Sequence, residues 1–150
     1  MDSWRENLCY GDVHIRALLA SIRRVAVLGM KTEKQASAPA YTVPVYLARA
    51  GLEVIPVPVY FPEVREILGR PVYRRLADVP GEIDLVDDFR RSADVPAHLQ
   101  DLLAKRPRAV WLQLGIRNDE AAEALARAGI RVVQDRCLKV EWARLGPGAR

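Results

Sequence analysis

Ile15, Leu18, Leu19 and Ile22 fall at the i, i+3, i+4, i+7 spacing of one helical face, which predicts a helix over 12–22 with Asp12 as its N-cap. The period then changes. Residues 24–28 form a short apolar run suited to a buried strand. A second helix is expected over about 40–49, with Pro39 at its start and Gly51 just past its end. Pro44 is expected in the first turn as well, because a proline deeper in the helix removes a backbone bond. Residues 52–57 read as the second strand, closed by Pro56 and Pro58, and residues 59–81 as an irregular, turn-rich stretch. Strands follow at 83–87, 109–112 and 130–133. Between them lie a helix over 94–104, presenting Val95, Leu99, Leu102 and Leu103, and one capped by Asn118 and stopped by Gly129. Leu138, Trp142 and Leu145 mark a terminal helix, followed by a loose tail over 146–150.

Strands and helices alternate, so the chain is expected to be one α/β domain spanning 1–150. Its core is a Rossmann-type, doubly wound parallel sheet of about five strands with helices on both faces. Ligands on such sheets sit beyond the carboxyl ends of the strands, where the strand order reverses. The loops after Leu28, Val57, Val86, Leu112 and Val133 are therefore the places for chemistry.

Composition narrows this picture only a little. Half of the 150 residues are hydrophobic and 28% are charged, which is enough material for a core. No apolar run approaches a membrane span and no signal-peptide pattern opens the chain, so a cytoplasmic protein is expected. Cys9 and Cys137 have no CxxC or Cys/His spacing, and both are expected to be free thiols. The net charge of +4 permits an anionic ligand or nucleic acid. The arginines are spread along the chain rather than clustered, as in a GC-rich coding background.

The first loop, from Gly29 to Ala38, carries Lys31, Thr32, Lys34 and Ser37 into a helix N-terminus, whose free N–H groups favour an anion. The dinucleotide fingerprint GxGxxG is absent, since the glycine after Gly29 is Gly51. The end of strand two, Ile55 to Tyr60, has no acid for NAD ribose hydroxyls, and no P-loop is present. Catalytic patterns are also missing. His14 and His98 are expected on the surface. Asp84, Asp87 and Asp88 could hold a metal but are expected to be structural, pairing Arg90 or Arg91. Cys137 opens the last helix, where a thiol pKa can fall; packing is its simpler role.

Several words of the sequence occur together in a known family: Val25 to Gly29, Val54-Ile-Pro-Val57, Ile67 to Tyr73, Leu76 to Pro80, Asp84 to Asp87 with Phe89 to Ser92, Trp111-Leu-Gln-Leu-Gly115, and Asp135-Arg-Cys-Leu-Lys139. On these the chain resembles the small stand-alone CoA-binding proteins, which are similar to the N-terminal CoA-binding domain of the succinyl-CoA synthetase alpha subunit. It departs from them at Pro58-Val59, where Asn-Pro is common. The resemblance implies coenzyme A, or an acyl-CoA, as the ligand. It implies that Gly29, Met30, Lys31 and Lys34 hold the pyrophosphate. Pro56, Val57 and Pro58 would flank the adenosine, with Phe89 and Arg90 on its other side, and Leu114 and Gly115 would border the pantetheine. The synthetase subunit carries its phosphorylated histidine in a second domain, so binding without catalysis is expected of this chain alone.

Two other function classes stay open on the residues themselves. One is a CoA- or dinucleotide-dependent enzyme, or a subunit of one, using Cys137 or the Asp87-Asp88 pair. The other is a nucleic-acid-binding protein, disfavoured by the absence of a basic helix or an aromatic-interleaved patch. No membrane partner is expected; a homo-oligomer or a partner enzyme subunit is left open.

Overall fold

The structure, a computed structural model, describes residues 3–149. Five parallel strands form its sheet: β1 (Arg24–Leu28), β2 (Glu53–Val57), β5 (Leu85–Asp88), β6 (Ala109–Leu112) and β7 (Arg131–Val133). Their spatial order is β2-β1-β5-β6-β7, so the chain leaves β1 toward one side and returns on the other. A short hairpin, β3 (Glu66–Ile67) and β4 (Arg70–Pro71), stands apart from the sheet.

Alternation along each strand divides the core into two layers. Val25, Val27, Leu85 and Trp111 face α1 (Asp12–Ala20), α2 (Pro39–Arg49) and α5 (Leu138–Leu145). Ala26, Leu28, Val86, Val110 and Leu112 face α3 (Leu99–Lys105) and α4 (Asp119–Arg127). Each fully buried Leu, Ile or Val here contributes roughly 1.5–3 kcal/mol of transfer free energy. Trp111 adds specificity, because its indole N–H donates to the Arg136 carbonyl at 2.8 Å and ties β6 to the loop before α5.

The doubly wound α/β architecture is as the sequence predicts, and the differences are local. Asp12 is the first helical residue rather than the cap; Gly11 caps α1, and the Asp12 carboxylate forms a two-pronged pair with Arg144 at 2.8 and 2.9 Å. The third strand starts at Leu85 rather than residue 83. The expected helix over 94–104 is a 3₁₀ stretch, Ser92–His98, leading into α3, with Pro96 inside the 3₁₀ part. The stretch over 59–81 is not wholly irregular: a two-residue turn, Leu68-Gly69, with φ of 54° and 70°, closes the hairpin in the manner of a type I′ turn.

Pro44 lies in the second turn of α2, not the first. Proline has no N–H, so the Ala40 carbonyl loses its partner four residues on. That carbonyl instead accepts from the Lys31 amide at 3.1 Å. The proline that weakens the helix thus frees the group that pins the first loop to it.

Candidate functional site

The strand order reverses between β1 and β5, and a cavity opens beyond the carboxyl ends of the strands there. Its volume is about 520 Å³. Gly29 follows β1 with φ +83°, and its N–H donates to the Val57 carbonyl at 2.8 Å. A Cβ at Gly29 would lie 3.3 Å from Arg90 Cδ and 3.6 Å from the Phe89 carbonyl carbon. Glycine is needed here twice over, for the left-handed backbone and for the close approach of the β5 loop.

The first loop is held in a defined shape. Thr32, buried, and Gln35 form a capping box around a 3₁₀ turn, Glu33–Gln35. The Glu33 carboxylate accepts from the Leu68 amide at 2.9 Å and fastens the loop to the hairpin. The loop then delivers the start of α2 to the cavity. Ala38 caps that helix with no side-chain bond, and Ala38, Pro39 and Ala40 line the cavity wall. The positive end of α2 therefore faces the opening.

Across from it stand the groups after β5. The Arg90 amide donates to Asp88 Oδ1 at 2.8 Å, and its guanidinium donates from Nε to His98 Nε2 at 3.2 Å. Burial, helped by the Arg90 charge, holds the His98 pKa below its ordinary value, which keeps Nε2 free to accept. His98 is thus half-buried and part of the site's frame, not the surface residue expected, whereas His14 is exposed. Arg90 also lies over the Tyr60 ring at 5.3 Å, and Arg91 pairs with Asp94 at 2.9 Å.

Lys31, Arg90 and Arg91 line the cavity and no carboxylate does. Lys31 is the cation among these with no ion pair or side-chain hydrogen bond among the described residues. Gln113, Leu114, Ile116 and Cys137 complete the far wall, with Gln113 Oε1 accepting from the Leu138 amide at the start of α5.

Of the sequence-predicted site residues, Gly29, Lys31, Phe89, Arg90 and Leu114 come together around the cavity. Met30 points into the α1/α2/α5 core layer, and Pro56, Val57 and Pro58 are buried along β2 and just after it. Lys34 and Gly115 are exposed and outside the cavity wall; the Gly115 amide donates to Asp135 Oδ1 at 2.7 Å. Tyr60, Arg91, Gln113 and Ile116 line the cavity without having been singled out. Their signal was positional, because each follows the carboxyl end of a core strand.

Asp84 and Asp88 hold backbone amides rather than the Arg90 or Arg91 side chains expected of the acidic trio, Asp88 Oδ1 accepting from the Arg90 amide. Asp84 accepts from the Arg23 and Arg24 amides at 2.8 and 2.9 Å, and neither Asp87 nor Asp88 makes a salt bridge with an arginine side chain among the described residues. Asp87 and Asp88 are fully buried; both oxygens of Asp87 and Oδ2 of Asp88 have no partner. Burial pushes the Asp88 pKa up to about 7, and that of Asp87 well above the carboxylate range, with the Asp88 charge adding to it. Among the described residues no group of three His, Cys, Asp or Glu side chains could hold a metal, and no helix is long and apolar enough to cross a membrane.

A family model described as CoA binding domain matches residues 23–143. The uncharacterized protein YneT of Bacillus subtilis is 33% identical over 129 residues, covering 86% of this chain and 92% of that protein. A Thermus thermophilus protein of solved structure is 41% identical with a TM-score of 0.82, over 91% of this chain and 99% of that one. The fold also recurs in the dinucleotide-forming acetyl-coenzyme A synthetase 1 of Candidatus Korarchaeum cryptofilum, at 21% identity and a TM-score of 0.63, over 79% of this chain and 26% of the synthetase.

Proposed function

The chain belongs to the CoA-binding domain family, and we propose that it binds coenzyme A in the cavity at the β1/β5 switch point, without catalysing a reaction alone. The carrying observation is the lining: Lys31 with no ion pair among the described residues, two arginines that share the one carboxylate of Asp94, an uncapped helix start and no carboxylate on the wall. CoA presents a pyrophosphate and a ribose 3′-phosphate, which such a wall suits.

In this reading Gly29 lets the ligand approach the backbone, while Lys31 and the first turn of α2 hold the pyrophosphate. Tyr60, Phe89 and Arg90 offer a ring face and a guanidinium to the adenosine side. Leu114 borders the pantetheine arm. The acid-free end of β2 fits a ligand whose ribose carries a phosphate rather than two free hydroxyls. Binding alone is favoured because His98 is committed to Arg90 and Asp87 is sealed in the core.

Calorimetric titration of the protein and of Lys31→Glu with CoA tests this, with ATP and NAD as controls. CoA is expected to bind best, and the charge reversal to weaken it roughly 30-fold, about 2 kcal/mol. An unchanged dissociation constant in the variant would remove Lys31 from the phosphate site. No heat with CoA would remove the ligand.

A further inference from the structure

The sheet order sets out the carboxyl-edge groups in a line: Tyr60 after β2, Gly29 after β1, Arg90 after β5, Leu114 after β6 and Cys137 after β7. A CoA with its pyrophosphate near Gly29 and its adenosine toward Tyr60 directs its thiol along that line, to Leu114 and Cys137. These two residues are shared with a second cavity, of about 510 Å³, at the β7 edge of the sheet. We infer that this second cavity receives a short, uncharged acyl group carried as a thioester on the CoA thiol. The inference rests on the CoA reading of the first cavity.

Two observations select the occupant. Leu114, Tyr10 and Val140 line the second cavity with 67%, 46% and 55% of their surfaces exposed, an adjacent group of apolar side chains left to water. Its cations are already matched. Arg117 pairs with Asp119 at 3.1 Å, and Arg136 pairs with Glu141 at 3.6 Å while donating to the Tyr10 carbonyl at 2.9 Å. A carboxylate-ended acyl group finds both guanidiniums of the wall engaged and lies beside the Asp135 carboxylate, while Glu141 is held by Arg136 and, at 2.6 Å, by Arg144. An aliphatic chain covers the apolar groups without disturbing either pair.

The full chain is titrated calorimetrically with CoA, butyryl-CoA, hexanoyl-CoA and succinyl-CoA. Affinity is expected to rise with aliphatic length, reaching about tenfold over CoA for hexanoyl-CoA, while succinyl-CoA binds no better than CoA. Val140→Asp, and separately Tyr10→Ser, are expected to abolish the hexanoyl gain while CoA affinity stays as it was. CoA binding with no acyl gain, a gain that survives both substitutions, or a preference for succinyl-CoA would overturn the acyl cavity and leave the CoA site standing. Failure of every one of these ligands to bind would overturn both.

Discussion

Asp88→Asn is expected to remove one of two buried-carboxyl contributions to the loss of stability with rising pH. The carboxyl of Asp88 has an ordinary pKa near 3.9 in the unfolded chain and about 7 when folded, because the fold removes it from water. Between those values the folded state binds the extra proton, so stability falls as pH rises from about 4 to about 7. The stabilisation is complete below the unfolded value and gone above the folded one. The amide of asparagine keeps an oxygen to accept from the Arg90 N–H and carries no charge at any pH. Relative to the native chain, the variant is expected to gain on the order of 4 kcal/mol between pH 3 and pH 8. Urea unfolding across that range measures it. Asp87, raised further, is expected to leave a decline in both proteins that starts from the same unfolded value near 4 and continues above pH 7. Parallel stability curves for the two proteins would mean that Asp88 is charged or solvated in the fold.

Gly29→Val is expected to damage both stability and binding. A β-branched residue at φ +83° is strained by roughly 1–2 kcal/mol. Its Cβ starts 3.3 Å from Arg90 Cδ, and the branch methyls add crowding of about 1–3 kcal/mol. Arg90 cannot simply swing aside, because His98 and Asp94 hold its guanidinium. A loss of about 3 kcal/mol corresponds to a Tm lower by roughly 6–12 °C. CoA affinity should fall with it, since the displaced loop lines the cavity. A native Tm together with native affinity would show that the approach of the two strand ends is looser than these distances imply.

The frame was legible because its apolar runs are short, unbroken and separated by capping signals. Residues 24–28 and 109–112 needed only their pattern, and Asn118 announced its helix and does accept from the Ala121 amide at 2.9 Å. The hairpin was not legible, since strands of two residues carry no period and Leu68 is an uncommon residue for a left-handed turn position. Pro44 was misplaced because local rules forbid it mid-helix; only the fold shows the freed Ala40 carbonyl taken up by Lys31.

The site was legible in outline. The strand-end rule pointed to this edge of the sheet, and the resemblance implied Gly29, Lys31, Phe89, Arg90 and Leu114, which line one cavity. Neighbours in sequence did not all follow. Alternate residues of a strand or tight loop point opposite ways, so Met30 turns into the core while Lys31 faces out. Asp87 and Asp88 read in the sequence as strand-end acids for a metal, an arginine or a chemical role, not as carboxyls sealed in the core. Their burial comes from flanking strands and helices that no single segment reveals.

A crystal structure of the chain grown with saturating CoA tests the assignment of the β1/β5 cavity. Pyrophosphate oxygens are expected within hydrogen-bond distance of Lys31 Nζ and the first turn of α2. The adenosine is expected beside Tyr60 and Arg90, and the pantetheine arm passing Leu114 toward Cys137. CoA bound elsewhere on the molecule, or running across the sheet edge in the opposite direction, would contradict the assignment.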